Sequence, residues 1–300
     1  MPLDTYSING NTYLFTLRKS DGIVRIYNLV EDYIMETNLL FPAFVYKDDR
    51  EIIGNMVTSY DWTDNKWDVA RSFDVNGNNY LFLMGQTSNG TNVHINTINS
   101  NGTISSSYYN YDWSSGWTKA EFYKVGNNTY LYLYKQSNGQ IHIHQMNSNG
   151  TVGSRVQTIA SWLPNFTTVN FFYQNGSTYL FTQRYSDAHM YVFKMNSNGS
   201  RGTQIDFKDW SSLYTSSGVY GIGTNTNYLF MLKENNGLNY VTKLNSNGTI
   251  GADVQSRSWS SGYSLVHFFK FPTTHSNEFH QNYMLMLKSS NGLLRIHRVY

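Results

Sequence analysis

Residues 112–151 read DWSSGWTKAEFYKVGNNTYLYLYKQSNGQIHIHQMNSNGT, and the whole chain is built from edited copies of this unit. Within the unit, TYLYLY at 129–134 has the aromatic and β-branched composition of a strand. The run QIHIHQM at 140–146 alternates polar and apolar residues, as does a strand buried on one face. Asn138-Gly139 between the two runs predicts a tight two-residue hairpin turn, because both residues tolerate positive φ angles.

The unit recurs six times at a period near 50 residues. Its central strand is marked by a tyrosine at Tyr13, Tyr80, Tyr130, Tyr179, Tyr228 and Tyr283. A turn signal follows each central strand, a third strand follows each turn, and four of the third strands run into the same closing turn, at Asn99, Asn147, Asn196 and Asn245. A sandwich needs no constant period, whereas blades around an axis must repeat. We therefore expect an all-β fold, a single six-bladed β-propeller domain spanning residues 1–300.

Two stretches interrupt the period and are interpreted as insertions. The first, near 30–59, exceeds the repeat by about 17 residues and predicts a long loop or an added hairpin on the rim. The second, near 272–281, lengthens the hairpin of the last blade. A segment that carries Trp precedes five of the six central strands, so one copy is missing. Closure of the ring is expected to pair strands in or between the first and last blades.

Composition limits the possible partners and compartments. The net charge of +2 implies no field strong enough to hold nucleic acid, and the lack of a long apolar run argues against membrane insertion. Met1–Gly10 does not resemble a signal peptide. Eight Asn-x-Ser/Thr acceptors favour a bacterial source or a chain that never enters a eukaryotic secretory pathway. We expect a secreted or cell-surface protein without a recognisable signal peptide, with a cytoplasmic location as the alternative.

Each repeat offers residues suited to a pyranose, which is bound by an aromatic ring against its C–H face and by polar groups at its edge. The candidate aromatic pairs are Trp62 with Trp67, Trp113 with Trp117, Trp162 with Phe166, Trp210 with Tyr214, and Trp259 with Tyr263. The candidate polar residues are Asp112 and the aligned third-strand set Arg25, His94, His142, Tyr191, Tyr240 and Arg295. The first Trp of each pair is expected to fill the wedge between blades. The second aromatic follows a Ser/Gly turn and is expected to be exposed.

The pattern WSSGWTxxxFYxxGNNTYLYLYKxxNGxIHIxxxNxxGT resembles the repeats of bacterial and fungal β-propeller lectins, including the tectonin-like and fucose-binding groups. The resemblance covers nearly the whole chain. It implies multivalent glycan binding at repeated shallow pockets, with no cofactor and no catalysis. The match departs from the Trp-Gly-Trp form after Trp62, Trp162 and Trp210. Glycans are thus the expected partners, and the formation of a homo-oligomer is left open.

Two other classes of function compete with the lectin. A protein-interaction scaffold would use loops on one face of the propeller, concentrated in one sector. A glycan-cleaving enzyme would need paired carboxylates at the centre of the ring, and the acidic residues are not concentrated at strand starts. His142 and His144 share a strand face, but a His-x-His pair without a third ligand is a weak metal signal. The prediction is a protein that is not an enzyme, with no metal.

Overall fold

The computed structural model describes residues 3–20, 22–29, 44–46, 53–62, 67–210, 214–222, 226–270, 282–288, 290 and 293–299. These residues form six four-stranded antiparallel sheets. Contacts between the first strands of successive sheets arrange them around a common axis. The predicted all-β, six-bladed propeller is therefore confirmed. Within the described ranges no helix has the length and hydropathy of a membrane span.

The strands run from the axis outward in each blade. Blade 1 contains β1 (Leu3–Ile8), β2 (Asn11–Arg18), β3 (Ile23–Leu29) and β5 (Ile53–Asp61). Blade 2 contains β6 (Val69–Val75), β7 (Asn78–Thr87), β8 (Gly90–Ile98) and β9 (Ile104–Trp113). Blade 3 contains β10 (Lys119–Val125), β11 (Asn128–Tyr134), β12 (Ile141–Met146) and β13 (Val152–Ile159). Blade 4 contains β14 (Phe166–Gln174), β15 (Ser177–Arg184), β16 (His189–Met195) and β17 (Arg201–Asp209). Blade 5 contains β18 (Ser216–Ile222), β19 (Thr226–Leu232), β20 (Leu238–Leu244) and β21 (Ile250–Ser258). Blade 6 contains β22 (Leu265–Lys270), β23 (Asn282–Lys288), β24 (Leu293–Val299) and β4 (Phe44–Tyr46).

The turn predicted at Asn138-Gly139 is longer than two residues. β11 ends at Tyr134 and β12 begins at Ile141, and Gly139 N donates to Lys135 O at 2.9 Å. Gly139 has the expected positive φ of 74°, and its carbonyl accepts from Trp162 N at 3.1 Å. The longer turn thus reaches the loop that leads into the next blade.

The first predicted insertion closes the ring. Its segment β4 pairs antiparallel with β24, aligning Phe44 with Val299 and Tyr46 with His297. β5 then takes the outer position of blade 1, beside β3. The insertion was expected to be a long loop or an added hairpin on the rim, but part of it supplies the outer strand of blade 6 and covers an edge that would otherwise be unpaired. The second insertion, near 272–281, lies outside the described residues.

An aromatic stack between the first and second strands is repeated in every blade, near the axis of the ring. In all six blades the tyrosine of the central strand stacks on an aromatic side chain of the first strand, with ring centroids 5.2 to 5.5 Å apart. A glycine from the closing turn of the next blade lies against this tyrosine: Gly102 against Tyr13, Gly150 against Tyr80, Gly199 against Tyr130, and Gly248 against Tyr179. The closing turn therefore forms a contact between blades.

Candidate functional site

The second aromatic of each repeat is buried, so the expectation that it would be exposed is wrong. Trp67, Trp117 and Tyr263 are each 2% exposed, and Tyr214 is 5% exposed. Each ring packs into an apolar cluster between two blades. A Ser/Gly turn does not expose the residue after it here, because the chain turns inward at once to begin the first strand of a blade.

The first tryptophan of each repeat is half-buried against the next blade. This group comprises Trp62, Trp113, Trp162, Trp210 and Trp259, all at the margins of the apolar clusters. Trp259 stacks on His297 with 5.5 Å between ring centroids and 3° between planes. The guanidinium of Arg201 lies 4.3 Å from the Trp162 ring centroid. These rings fill the wedge between blades, and a role for their remaining surface in sugar binding stays a prediction.

The aligned third-strand residues lie beside the buried aromatic side chains. His94 is 4.6 Å from Trp67, His142 is 4.6 Å from Trp117, Tyr191 is 5.8 Å from Phe166, and Tyr240 is 6.0 Å from Tyr214, all between ring centroids. The Arg295 guanidinium is 5.8 Å from the Tyr263 ring. In blade 1, which has no such aromatic pair, Arg25 is exposed. Asp112 is exposed at the end of β9. Burial lowers the pKa of His94, and the charge of Asp112 partly opposes that shift. Sequence reasoning thus grouped residues that do meet in space, but they meet as packed interior.

Burial opposes the protonation of two histidines that lie beside these aromatic side chains, His297 and His142. Burial, helped by the charge of Arg295, lowers the pKa of His297 to about 4. Burial, with the charges of Arg155, His144 and Lys135, lowers the pKa of His142 to about 4. Both imidazoles are therefore neutral at pH 7.

We expect acid to destabilise the fold through His297. In the unfolded chain this histidine titrates near pH 6.5, so between pH 6.5 and 4 the unfolded state binds more protons than the folded state. The stability that depends on neutral His297 is present above pH 6.5 and falls as the pH drops towards 4, by up to about 3 kcal/mol. The substitution His297→Phe keeps an aromatic ring against Trp259 and removes this titration. Urea unfolding at pH 7 and 4.5 should show a smaller acid loss in the variant, and an equal loss in both proteins would contradict the assignment.

Side chains of the innermost strands form a second, unpredicted site at the axis. Two residues before the stacking aromatic of each first strand, the six blades carry Asp4, Arg71, Glu121, Asn170, Gly218 and His267. These residues line a central cavity of about 530 Å³. The repeats agree closely in their aromatic and turn positions, whereas this position differs in every blade. The cavity is therefore asymmetric within a nearly symmetric ring.

Arg71 and Glu121 form a two-point ion pair across the seam between blades 2 and 3. Arg71 Nε donates to both Glu121 carboxylate oxygens at 3.0 Å, and Nη2 donates to Oε1 at 2.6 Å. Arg71 Nη1 also donates to Ala70 O at 2.8 Å. Burial lowers the pKa of Arg71, but the Glu121 charge and hydrogen bonds and the Asp4 charge outweigh it, so that the pKa is raised. The guanidinium is thus bonded to the carboxylate of blade 3 and is further stabilised by the charge of Asp4 in blade 1.

Asp4 joins blades 6, 1 and 2 on the other side of Arg71. Its carboxylate, 5% exposed, accepts hydrogen bonds from Ser72 N and, at 2.9 Å, from Thr5 N. His267 Nε2 lies 3.5 Å from Asp4 Oδ1 and 2.9 Å from Thr5 Oγ1. Burial and the Arg71 charge lower the pKa of His267 despite the opposing charges of Asp4 and Glu121. His267 is thus a neutral hydrogen-bonding group at pH 7.

Besides Asp4, Arg71, Glu121 and His267, the titratable residues that line the cavity are Lys119 and the ion pair of Lys19 with Asp68. Lys119 Nζ donates to Thr167 O at 2.7 Å, and burial with the Arg71 charge, opposed by that of Glu121, lowers its pKa to about 8. Asn170 Nδ2 donates to Ser217 O at 3.2 Å, and Ser217 Oγ is buried without a hydrogen-bond partner among the described residues. Gly218 leaves the adjacent position of blade 5 without a side chain. Blades 4 and 5 thus present amide and hydroxyl groups to the cavity, and the Lys119 ammonium lies on the same strand as Glu121.

Sequence reasoning missed this site because it looked for residues that repeat. A signal was present: once the first strands are aligned on their stacking aromatic, the position two residues earlier reads Asp, Arg, Glu, Asn, Gly, His. Among the residues with described side chains, no group of three or more His, Cys, Asp or Glu is placed to hold a metal ion.

No protein-family model matches the chain, and no curated protein matches it. Solved structures do match, at low identity. BBS1N in complex with ARL6DN is 12% identical, with 98% of this chain and 90% of that chain covered and a TM-score of 0.54. A 6-phosphogluconolactonase candidate from Bacteroides fragilis is 10% identical, with 98% and 82% covered and a TM-score of 0.55. An exo-β-1,3-galactanase from Phanerochaete chrysosporium, with β-1,3-galactotriose, is 12% identical, with 95% and 75% covered and a TM-score of 0.53. At these identities the likeness shows the fold.

The prediction that the chain is not an enzyme is contradicted by these comparisons. The galactanase and the lactonase candidate share its fold. The sequence argument against catalysis also rested on the acidic residues not being concentrated at strand starts, where a catalytic pair at the centre of the ring was expected. Asp4 and Glu121 both line the central cavity, on first strands of different blades.

Proposed function

We propose that the protein is a carbohydrate-active protein whose principal sugar site is the central cavity. The observation that carries this proposal is the asymmetric set of polar side chains around a cavity of about 530 Å³. Small-ligand sites commonly have volumes of roughly 300–1,000 Å³. A sugar hydroxyl both donates and accepts, so it is suited to a cavity that presents carboxylate, ammonium, amide and hydroxyl groups together.

The free hydrogen-bonding capacity of the cavity supports this proposal. Ser217 Oγ is buried without a partner among the described residues, and Lys119 uses one of its three N–H donors on Thr167 O. Protein donors hold the carboxylates of Glu121 and Asp4 in fixed positions. Their remaining lone pairs are therefore available in a fixed direction to accept hydrogen bonds from a ligand. The galactanase of similar fold was solved with a galactotriose, which is consistent with a sugar as the ligand.

A glycan array followed by titration calorimetry tests the proposal. We expect one oligosaccharide to bind per chain, because the cavity lies on the single axis of the ring. A multivalent lectin that used the half-buried tryptophans would instead bind several sugars per chain. Stoichiometry near five would move the site to the seams, and no binding at millimolar glycan would overturn the proposed function.

Glycan cleavage at the same cavity is a second candidate, favoured by the presence of Asp4 and Glu121 together. Glycosidases use two carboxyl groups that flank the scissile bond, one as acid and the other as base or nucleophile. Release of reducing ends from the glycans that bind would identify cleavage. Asp4→Asn and Glu121→Gln should then each abolish turnover while retaining bound glycan. Turnover that persists in both variants would exclude these carboxylates as the catalytic pair.

A further inference from the structure

Three lysines lie at the end of the second strand of their blades, close to residues that line one end of the central cavity, which we call its mouth. Lys135, Lys233 and Lys288 occupy equivalent positions in blades 3, 5 and 6, directly after β11, directly after β19 and at the end of β23. The residues that follow the buried aromatic side chains in these blades, Thr118, Thr215 and Ser264, line the cavity. Thr118 Oγ1 accepts from Gln136 N, and Thr215 Oγ1 accepts from Glu234 N, so two of the lysines are each next to a residue bonded to the cavity rim. We call these three lysines the lysine crown.

Each ammonium of the crown lies over an aromatic ring. The Nζ atoms of Lys135, Lys288 and Lys233 lie 4.7, 4.8 and 5.4 Å from the ring centroids of Trp117, Tyr263 and Tyr214. The stem of Lys135 passes Gly116, where an added Cβ would lie 3.6 Å from Lys135 Cδ. Lys288 passes Gly262 in the same way, at 3.7 Å. Aromatic faces attract cations, so the three ammonium groups are held in place while their N–H donors stay available.

No carboxylate neutralises the crown among the described residues. Five other lysines and arginines among the described residues have acidic partners within 4.0 Å: Lys19 with Asp68, Arg71 with Glu121, Lys124 with Asp74, Arg184 with Asp187, and Lys208 with Asp206. Lys135 instead contacts the hydroxyl of Ser114 at 3.2 Å. A half-buried cation on an aromatic face, beside a hydroxyl and without a carboxylate, is arranged to meet an anion from outside the chain.

We infer that the crown binds the sulfate or carboxylate groups of an acidic polysaccharide whose chain crosses the face around the cavity mouth. A neutral pyranose cannot stack on these rings, because the lysine stems and ammonium groups cover them. An anionic group would contact the ammonium groups directly. The net charge of +2 does not favour a nucleic acid, which needs a continuous basic surface. The inference rests on the proposed function and specifies the class of glycan.

A matched pair of double variants tests the crown. Lys135→Met with Lys288→Met keeps both apolar stems and removes two ammonium groups from opposite blades. Lys194→Met with Lys243→Met removes two exposed lysines from third strands. These lysines pair with residues near the starts of the second strands, whereas the crown lies at the ends of the second strands. Thermal melting first verifies that both variants fold. Binding to immobilised dextran sulfate, polygalacturonate, unmodified dextran and duplex DNA is then measured over a range of salt concentrations.

We expect the native protein to bind dextran sulfate or polygalacturonate and to release it as salt rises, with no retention on dextran. The crown variant should bind about tenfold more weakly, and the control variant should match the native protein. A preference for one matrix assigns the crown to sulfate or to carboxylate. Equal weakening in both variants, unchanged binding in the crown variant, or equally tight binding of DNA would each overturn the inference. Binding of a neutral glycan in the cavity without binding to either acidic matrix would refute the crown inference and leave the proposed function intact. Failure to bind any glycan would refute both.

Discussion

Gly199→Ala is expected to lower the free energy of unfolding by about 4 kcal/mol. Gly199 has a φ of 80°, where an L side chain is strained, and a Cβ at this position would lie 2.2 Å from Cε1 of Tyr130. Tyr130 is 1% exposed and stacks on Tyr123, whose hydroxyl donates to Gly199 O. The Tyr130 ring cannot move aside without breaking its stack on Tyr123 within blade 3. Urea unfolding of the variant measures the loss.

Gly77→Ala separates the steric effect from the backbone effect. Gly77 also has a φ of 80°, but no atom lies within 4 Å of an added Cβ. We expect it to cost about 1 kcal/mol, which is the backbone penalty alone. If both variants lost the same free energy, the contact between the closing turn and the tyrosine would contribute nothing to stability.

Arg71→Met is expected to lower glycan affinity at least about tenfold and to destabilise the fold by about 2 kcal/mol. Without the guanidinium, the carboxylates of Asp4 and Glu121 face one cavity with no cation between them, and Glu121 loses the donors that fix its position. The stability loss is moderate because the Arg71 side chain is 33% exposed to the cavity. Calorimetry with the best glycan from the array and urea unfolding measure the two effects.

Arg184→Met provides the matched control. Arg184 Nε donates to Asp187 Oδ1 at 2.9 Å, so this variant also breaks an ion pair of an arginine with a carboxylate, but in blade 4 and outside the residues that line the cavity. Its glycan affinity should equal that of the native protein. Arg71→Lys should fall between native and Arg71→Met, since it keeps the charge and loses the two-point contact. Native affinity in Arg71→Met would place the sugar elsewhere.

The sequence predicted the repeat because every blade packs in the same way. The central-strand tyrosines, the third strands and the Asn-Gly closing turns recur since every blade buries its faces against two similar neighbours. The sequence did not predict which side chains of the aromatic pairs are exposed to solvent. Whether Trp117 faces solvent depends on the path of the chain after Gly116 and on Lys135, which comes from a different strand and covers the ring.

The closure of the ring was also beyond local reasoning. The strand that the first insertion supplies, Phe44–Tyr46, is only three residues long, too short for a periodic pattern to predict it. It pairs with the edge of β24. Its pairing is fixed by a contact between residues about 250 positions apart, which no periodicity reports.

By itself, the sequence determined the all-β class, the number of blades and the interleaving of strands and turns, because these follow from short-range patterns that recur at a constant period. Tertiary structure alone decided which aromatic side chains are buried, which strand completes blade 6, and that Asp4, Arg71, Glu121, Asn170 and His267 meet around one cavity. The physical reason is that a ring brings equivalent positions of different repeats to one axis. Residues that look unrelated along the chain become neighbours there, and their chemistry depends on that arrangement.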